Sequence, residues 1–291
     1  MKQTSQIVTP DDAALDELCR ALASRADALD ASGEWPSEQL DLCRRYGVQR
    51  WFTGHEWGGL TWSEADLMRG LMRLSSACLS TTFILTQPLG VCRRLAAGSN
   101  ALLREKLLPK LSSGEIFATV GIAHLTTSRR HLARPVLAAR QTDDGFLLNG
   151  SIPWVTGALR ADYVLTGAAC EDGRELLAVL PTNQPGFTFN PPAKLVGLTS
   201  TLTGAAECRD VLLDRRWILA GPMEKVLSGG GAGTGGVQTS ALALGLAAGA
   251  LDYLQREAAT RDGLAAAAKS LRDEHAELEA TLLTLASGGE G

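Results

Sequence analysis

The chain lacks a signature of the membrane: its longest apolar run, Ala241 to Leu251, falls short of the roughly 20 residues a spanning helix needs. The start, MKQTSQIVTPDD, has no apolar core of a secretory leader. No C-x-x-C pair occurs. The six cysteines (Cys19, Cys43, Cys78, Cys92, Cys170, Cys208) lie far apart, so they read as reduced, buried thiols and not as a zinc or disulfide framework. Basic residues are not in excess: 28 Lys and Arg against 32 Asp and Glu leave a net charge of -4, where phosphate binding requires a basic face. Histidine is scarce, with four residues, and none stands in a Ser/His/Asp or Cys/His order. These absences predict a soluble cytoplasmic protein with no nucleic-acid partner, no membrane span and no metal site. What is present, 45% hydrophobic and 21% charged residues over 291 positions, suits a globular chain with a substantial core.

The sequence changes character twice, which predicts a helical N-terminal domain over 1–114, a central β domain over 115–220 and a helical C-terminal part over 221–291. Early on, Leu15, Leu18, Leu22, Ala26 and Leu29 recur at spacings of three and four behind Thr9, a candidate cap. Pro36 opens a second helix with Leu40 and Cys43 inward and Gly47 as its stop. Thr61-x-x-Glu64 has the form of a capping box before a long apolar helix, which Pro88 and Gly90 are expected to interrupt or end. Asn100 starts ALLREKLLPK, limited by Pro109. From Glu115 the runs IFATVGIAHL, PVLAARQT, FLLNG, DYVLTGAA, LLAVLP and AAECRDVLL are short and β-like. Asp144-Gly145, Asn149-Gly150 and Asp172-Gly173 punctuate them as turn signals, predicting an antiparallel sheet, barrel or sandwich. After a glycine-rich stretch the helical period returns, with Gly245 and Gly249 four apart for close packing. Leu271, His275, Leu278, Leu282 and Leu285 then form a further stripe. Two such helices alone cannot bury both apolar faces.

Four local features carry possible chemistry. Ser228 to Gly236, SGGGAGTGG, contains a formal G-x-G-x-x-G at Gly231, Gly233 and Gly236. No strand pattern precedes it and no acidic residue follows about 20 positions on, so it reads as a helix lead-in, not a phosphate loop. His275 shares a helix face with Glu279 alone among its acidic neighbours, too few ligands for a metal, and reads as a partly buried helix histidine. Thr126-Thr-Ser-Arg-Arg-His131, with Arg134 beyond, is either a solvated loop or a cationic site for an anionic ligand. In Asn149-Gly-Ser-Ile-Pro-Trp-Val-Thr-Gly157 an indole and a hydroxyl stand two residues apart, on one side of an extended chain. That pair suits the face and edge of a planar heterocycle, or else a tryptophan in the core beside a turn threonine.

Five segments in order resemble the acyl-CoA dehydrogenase family: ALDASGEWPSEQLDLCRRYGV, GHEWGGLTWSEADLM, LAAGSNALLREKLLPKLSSGEIFATVGIAHLT, DDGFLLNGSIPWVTGALRADYVL and VGLTSTLTGAAECRDVLLD. The resemblance covers nearly the whole chain. It implies an α+β architecture: an N-terminal helical domain, a central antiparallel β-barrel or sandwich, and a C-terminal helical bundle of which two helices are present. It implies FAD between β domain and bundle, with Leu125, Thr126, Trp154, Val155 and Thr156 at the cofactor-binding positions, Trp154 walling the isoalloxazine and Thr156 reaching its N5 edge. The family's loop that lines the substrate pocket falls on Ser128, Arg129 and His131, where the residues depart from the family pattern.

The family's catalytic glutamate has no counterpart here; the alternative position for it registers near Gly235, so no catalytic residue is assigned. The implied activity is α,β-dehydrogenation of an acyl-CoA or similar thioester, with an electron-transfer acceptor and a homo- or hetero-oligomeric assembly. Impaired catalysis, a non-catalytic partner subunit, a flavin-dependent monooxygenase on the same fold, and a truncated gene are the alternatives.

Overall fold

The computed structural model describes residues 5–126, 135–227 and 237–288. Helix α1 (Ala13–Ser32) buries Leu15, Leu18, Leu22 and Leu29, the stripe its spacing predicts, and ends at Gly33 in the left-handed conformation (φ 64). Its start differs from expectation. Asp12, not Thr9, holds the cap position, and its carboxylate accepts from the Val8 and Thr9 amides at 2.6 and 3.0 Å, closing a turn before the helix. Helix α2 (Ser37–Arg45) follows Pro36 and buries Cys43, with Gly47 left-handed just beyond it.

Helix α3 (Glu64–Ala77) is capped by Ser63, whose hydroxyl accepts from the Asp66 amide at 3.1 Å and donates to its carboxylate at 2.7 Å. The Thr61–Glu64 box does not form, because Thr61 lies at φ 52, outside any capping geometry. Helices α4 (Leu79–Ala97) and α5 (Ala101–Ser113) run through Pro88 and Pro109, the prolines expected to stop them. An interior proline costs about 3 kcal/mol. Burial of Ile84, Leu85, Leu89, Val91 and Leu95 on α4, and of Leu103, Leu107, Leu108 and Leu111 on α5, offsets that cost. Asn100 caps α5 as its sequence suggests, accepting from the Leu103 amide at 3.1 Å.

A sheet follows: β1 (Ala118–Gly121), the four-residue turn α6 (Ala123–Thr126), β2 (Leu137–Gln141), β3 (Gly145–Val155), β4 (Tyr163–Cys170), β5 (Glu175–Pro181), β6 (Phe187–Phe189), β7 (Gly204–Asp214) and β8 (Ile218–Met223). The order is β6-β7-β3-β2-β4-β5-β8, with β1 on β4. The antiparallel barrel or sandwich expected from turn-punctuated strands is thus corrected: the sheet is open and mixed. Both β1 and β2 run parallel to β4, which they share along one edge: Ala118–Gly121 against Tyr163–Thr166, and Ala138–Ala139 against Ala169–Cys170. Asn149-Gly150 also proves not to be a turn; it sits within β3 at a register shift against β7, where Gly150 adopts φ 131.

Helices α7 (Val237–Ala258) and α8 (Ala265–Ala286) close the described chain. A Cβ on Gly245 would lie 2.3 Å from the Met72 carbonyl oxygen, and one on Gly249 would lie 2.9 Å from that of Ser76, so the glycines let α7 lie directly on α3. The Ser75 hydroxyl donates to the Leu242 carbonyl at 2.7 Å in the same buried contact. The apolar run noted in the sequence lies inside this 22-residue helix, which by length and composition alone could cross a bilayer.

Candidate functional site

Strand β3 ends in an irregularity that decides which side chains it offers. Pairing runs from Ile152 opposite Ala206 to Val155 opposite Gly204, so β3 carries one extra residue there. Trp154 lies in this bulge at φ 58, a conformation bulky residues seldom adopt and one that collects at functional sites. It is 56% exposed, while Val155 and Thr156 beside it are buried. Simple alternation, the basis for expecting Trp154 and Thr156 on one side, is therefore broken. The two residues nevertheless line one cleft.

That cleft, of about 260 Å³, lies where three parts of the chain meet. Helix α4 contributes Phe83, Thr86, Gln87 and Arg94; β1 and the residue after it contribute Val120 and Ile122; the first turn of α7 contributes Gln238 and Thr239. Gly90 allows this meeting, since a Cβ there would stand 3.2 Å from Val120 Cγ2. The polar side chains are tethered. Thr86 donates to the Phe83 carbonyl at 2.6 Å, and Gln87 Oε1 accepts from the Thr119 hydroxyl at 3.4 Å. Arg94 Nη1 donates to the Gly90 carbonyl at 3.0 Å, and burial holds its pKa below the usual arginine value. Larger openings of about 310, 350 and 540 Å³ lie elsewhere, but none of them contains Trp154 or Thr156.

Beneath the cleft floor the Thr156 hydroxyl meets that of Thr203 at 3.1 Å, and Thr203 meets that of Thr201 at 2.8 Å. Thr201 is 0% exposed. Leu202 stands at φ 45, and this left-handed residue folds the chain so that two side chains two positions apart touch. These residues, like Thr86, Gln87, Arg94, Gln238 and Thr239, stand in no motif that marks them as site residues in the sequence. A polar pair inside the apolar α4 and the hydroxyl-rich run TSTLT were the available signals.

The other positions implied for the cofactor are placed differently. Leu125 is buried against the sheet, where a Cβ on Gly167 would lie 2.3 Å from its Cδ1. The Thr126 hydroxyl donates to the Ala123 carbonyl at 3.1 Å. Val155 is fully buried beside Gly121. None of the three lines the cleft. Ser128, Arg129 and His131 lie outside the described residues, as does the stretch from Ser228 to Gly236. Among the described residues lining the cleft there is no carboxylate, histidine or cysteine. His275, weighed as a ligand, donates through Nε2 to the Leu244 carbonyl at 2.8 Å and lies 3.9 Å from Glu279. Among the described residues no group of three or more His, Cys, Asp or Glu side chains could hold a metal.

With this arrangement in view, comparison with known proteins is direct. Residues 11–115 match the N-terminal domain of acyl-CoA dehydrogenases. A glutaryl-CoA dehydrogenase from Desulfococcus multivorans is 33% identical over 44% of this chain and 33% of its own length. The oxygenase subunit HsaA of a flavin-dependent monooxygenase from Mycobacterium tuberculosis is 24% identical over 72% of this chain and 50% of its own. The chain thus spans a third to a half of the curated relatives it matches. Among solved structures, FMN-bound TdsC from Paenibacillus sp. A11-2 superposes with a TM-score of 0.75 at 17% identity, over 94% of this chain and 77% of that one. Residues 11–115 thus resemble that domain, and the fold of the chain is of the acyl-CoA dehydrogenase-like type. Its relatives in that fold include both dehydrogenases and flavin-dependent monooxygenases.

Proposed function

We propose that the chain is a flavin-binding oxidoreductase and that the cleft between α4, β3 and α7 seats the isoalloxazine ring. The observation that carries this reading is Trp154: an indole held open in a strained bulge, above a hydroxyl, at the junction of three parts of the chain. The lining suits a flavin. An uncovered indole matches the ring face, hydroxyls and amides that both donate and accept match its polar edge, and Phe83, Val120 and Ile122 match its apolar end. FAD is the form the family resemblance implies; FMN is the form carried by the TdsC neighbour. When bound, the flavin supplies hydride or electron exchange. Trp154 stacks on the ring, Thr156 bonds its edge, and Arg94, the charge among the described lining residues, favours an anionic group at its own end.

Two reactions fit relatives of this fold. In the first, an acyl-CoA or similar thioester is dehydrogenated, electrons pass to a partner acceptor, and the chain works within a homo- or hetero-oligomer. That reaction needs a carboxylate within reach of the α-proton, and a missing base lowers rates by about 10²–10⁴-fold. The second is oxygenation with reduced flavin, as in the monooxygenase relatives. The match to the HsaA oxygenase subunit, which covers 72% of this chain, supports it.

Titration of the purified protein with FAD and FMN, followed by flavin fluorescence, is expected to give saturable binding that is weakened in Trp154→Ala. Flavin bleaching by acyl-CoA without oxygen marks dehydrogenation, and reductase-coupled oxygen consumption marks oxygenation. Binding of neither flavin would sink the reading.

A further inference from the structure

We infer that Thr203, with its direction set by Thr201, is a positioning residue that turns the Thr156 hydroxyl into a hydrogen-bond donor facing the cleft. This inference rests on the flavin reading of that cleft. Each hydroxyl carries one proton and can accept as well as donate. Thr201 is 0% exposed, and the side-chain partner of its hydroxyl among the described residues is Thr203, at 2.8 Å. Its proton therefore goes to Thr203. Thr203, 8% exposed, then passes its own proton to Thr156 at 3.1 Å. Thr156 has now accepted, so its proton is left for whatever enters the cleft it lines.

The reverse order would leave the Thr201 proton with no acceptor at a fully buried position, the costlier of the two arrangements. The surroundings hold the three threonines in place. The Gly157 amide donates to the Thr201 carbonyl at 2.8 Å, tying the end of β3 to this loop, and the Ser200 hydroxyl donates to the Leu29 carbonyl at 2.8 Å, tying the loop to α1.

A one-way chain of this kind selects its ligand. The atom that meets Thr156 must be an acceptor, such as an unprotonated ring nitrogen or a carbonyl oxygen. At the N5 edge that the family resemblance implies for Thr156, an oxidised flavin presents an unprotonated nitrogen, whereas a reduced one carries a proton there. The chain therefore favours the oxidised form and lowers the midpoint potential of bound flavin.

The test is a double-mutant cycle on FAD and FMN affinity, with the midpoint potential measured alongside. Thr203→Val is expected to weaken binding roughly five-fold, on the scale of one hydrogen bond, and to raise the potential. In a Thr156→Val background the same change is expected to shift affinity by less than about two-fold, because its route is gone. Thr203→Ser, which keeps the hydroxyl, restores both quantities; Thr203→Ala stands in should the valine variant fail to fold. Equal losses in the two backgrounds, no rescue by serine, or an unmoved potential would overturn the positioning role while flavin binding stands. An unmodified protein that binds neither FAD nor FMN overturns the flavin reading and this inference with it.

Discussion

Trp154 is costly where it stands. Left-handed backbone costs a side-chain-bearing residue about 1–2 kcal/mol, and glycine gives back up to about 1 kcal/mol of that in lost freedom on folding. Trp154→Gly is therefore expected to leave the thermal midpoint unchanged or raised, since the indole is 56% exposed and leaves little buried area behind. Flavin affinity is expected to fall about tenfold, the scale of one aromatic stacking contact. A midpoint that drops with the affinity would instead make the tryptophan a structural residue. His124 gives a second test at this scale. Its Nε2 donates to the Gly167 carbonyl at 2.7 Å, and Nδ1 has no partner among the described residues. Burial pushes its pKa below 6.5, opposed by the Gly167 hydrogen bond and the Glu175 charge. In the unfolded chain the ring titrates near its ordinary value, so it binds a proton there before the folded state does. Its stabilising contribution is complete above pH 6.5 and is lost as the pH falls from there through the lowered folded value. Denaturant midpoints measured across that window are expected to fall in the natural protein and to flatten in His124→Gln.

Among the elements, the glycines of α7 make the sharpest case. A methyl group at Gly245 would sit 2.3 Å from the Met72 carbonyl, and one at Gly249 would sit 2.9 Å from that of Ser76. Gly245→Ala is expected to cost about 1–3 kcal/mol through forced separation of α7 from α3. Gly249→Ala is expected to cost less, and the order of their urea midpoints checks the geometry. The pair was legible in sequence as a close-packing signal, as was the buried stripe of α1, because periodicity records which face meets the core. Helix boundaries were less legible. Pro88 and Pro109 carry a local stop signal, and only the tertiary burial of α4 and α5 overrules it. The mixed sheet was illegible for a related reason: turn residues report on neighbours in sequence, while β1 and β2 pair with β4 across a longer separation. At the cleft, Trp154 and Thr156 stood out through their residue types and the family resemblance. The bulge that presents the indole, and the threonine chain behind Thr156, depend on register and left-handed backbone that residue identity does not encode.

At the scale of the whole molecule, the cleft is a seam. It joins α4 from the first helices, β1 and β3 from the sheet, and α7 from the last helices, so a ligand there bridges regions distant in sequence. Flavin at about a hundred times its dissociation constant should then stabilise the folded state by about 2.7 kcal/mol, a rise of roughly 5–10 °C in melting temperature for a chain of this size. Protection from limited proteolysis is expected in α4 and α7 together; protection confined to one of them would count against a shared seat. Strand β4 sets the opposite limit. One edge is divided between β1 and β2, and the other is taken along its length by β5. Loss of any single neighbour frees the amides of one edge only, since successive N–H groups point to opposite sides. In deuterium exchange β4 should therefore take up label last, at a rate approaching that of global unfolding, and serve as the internal clock against which opening of the cleft is timed.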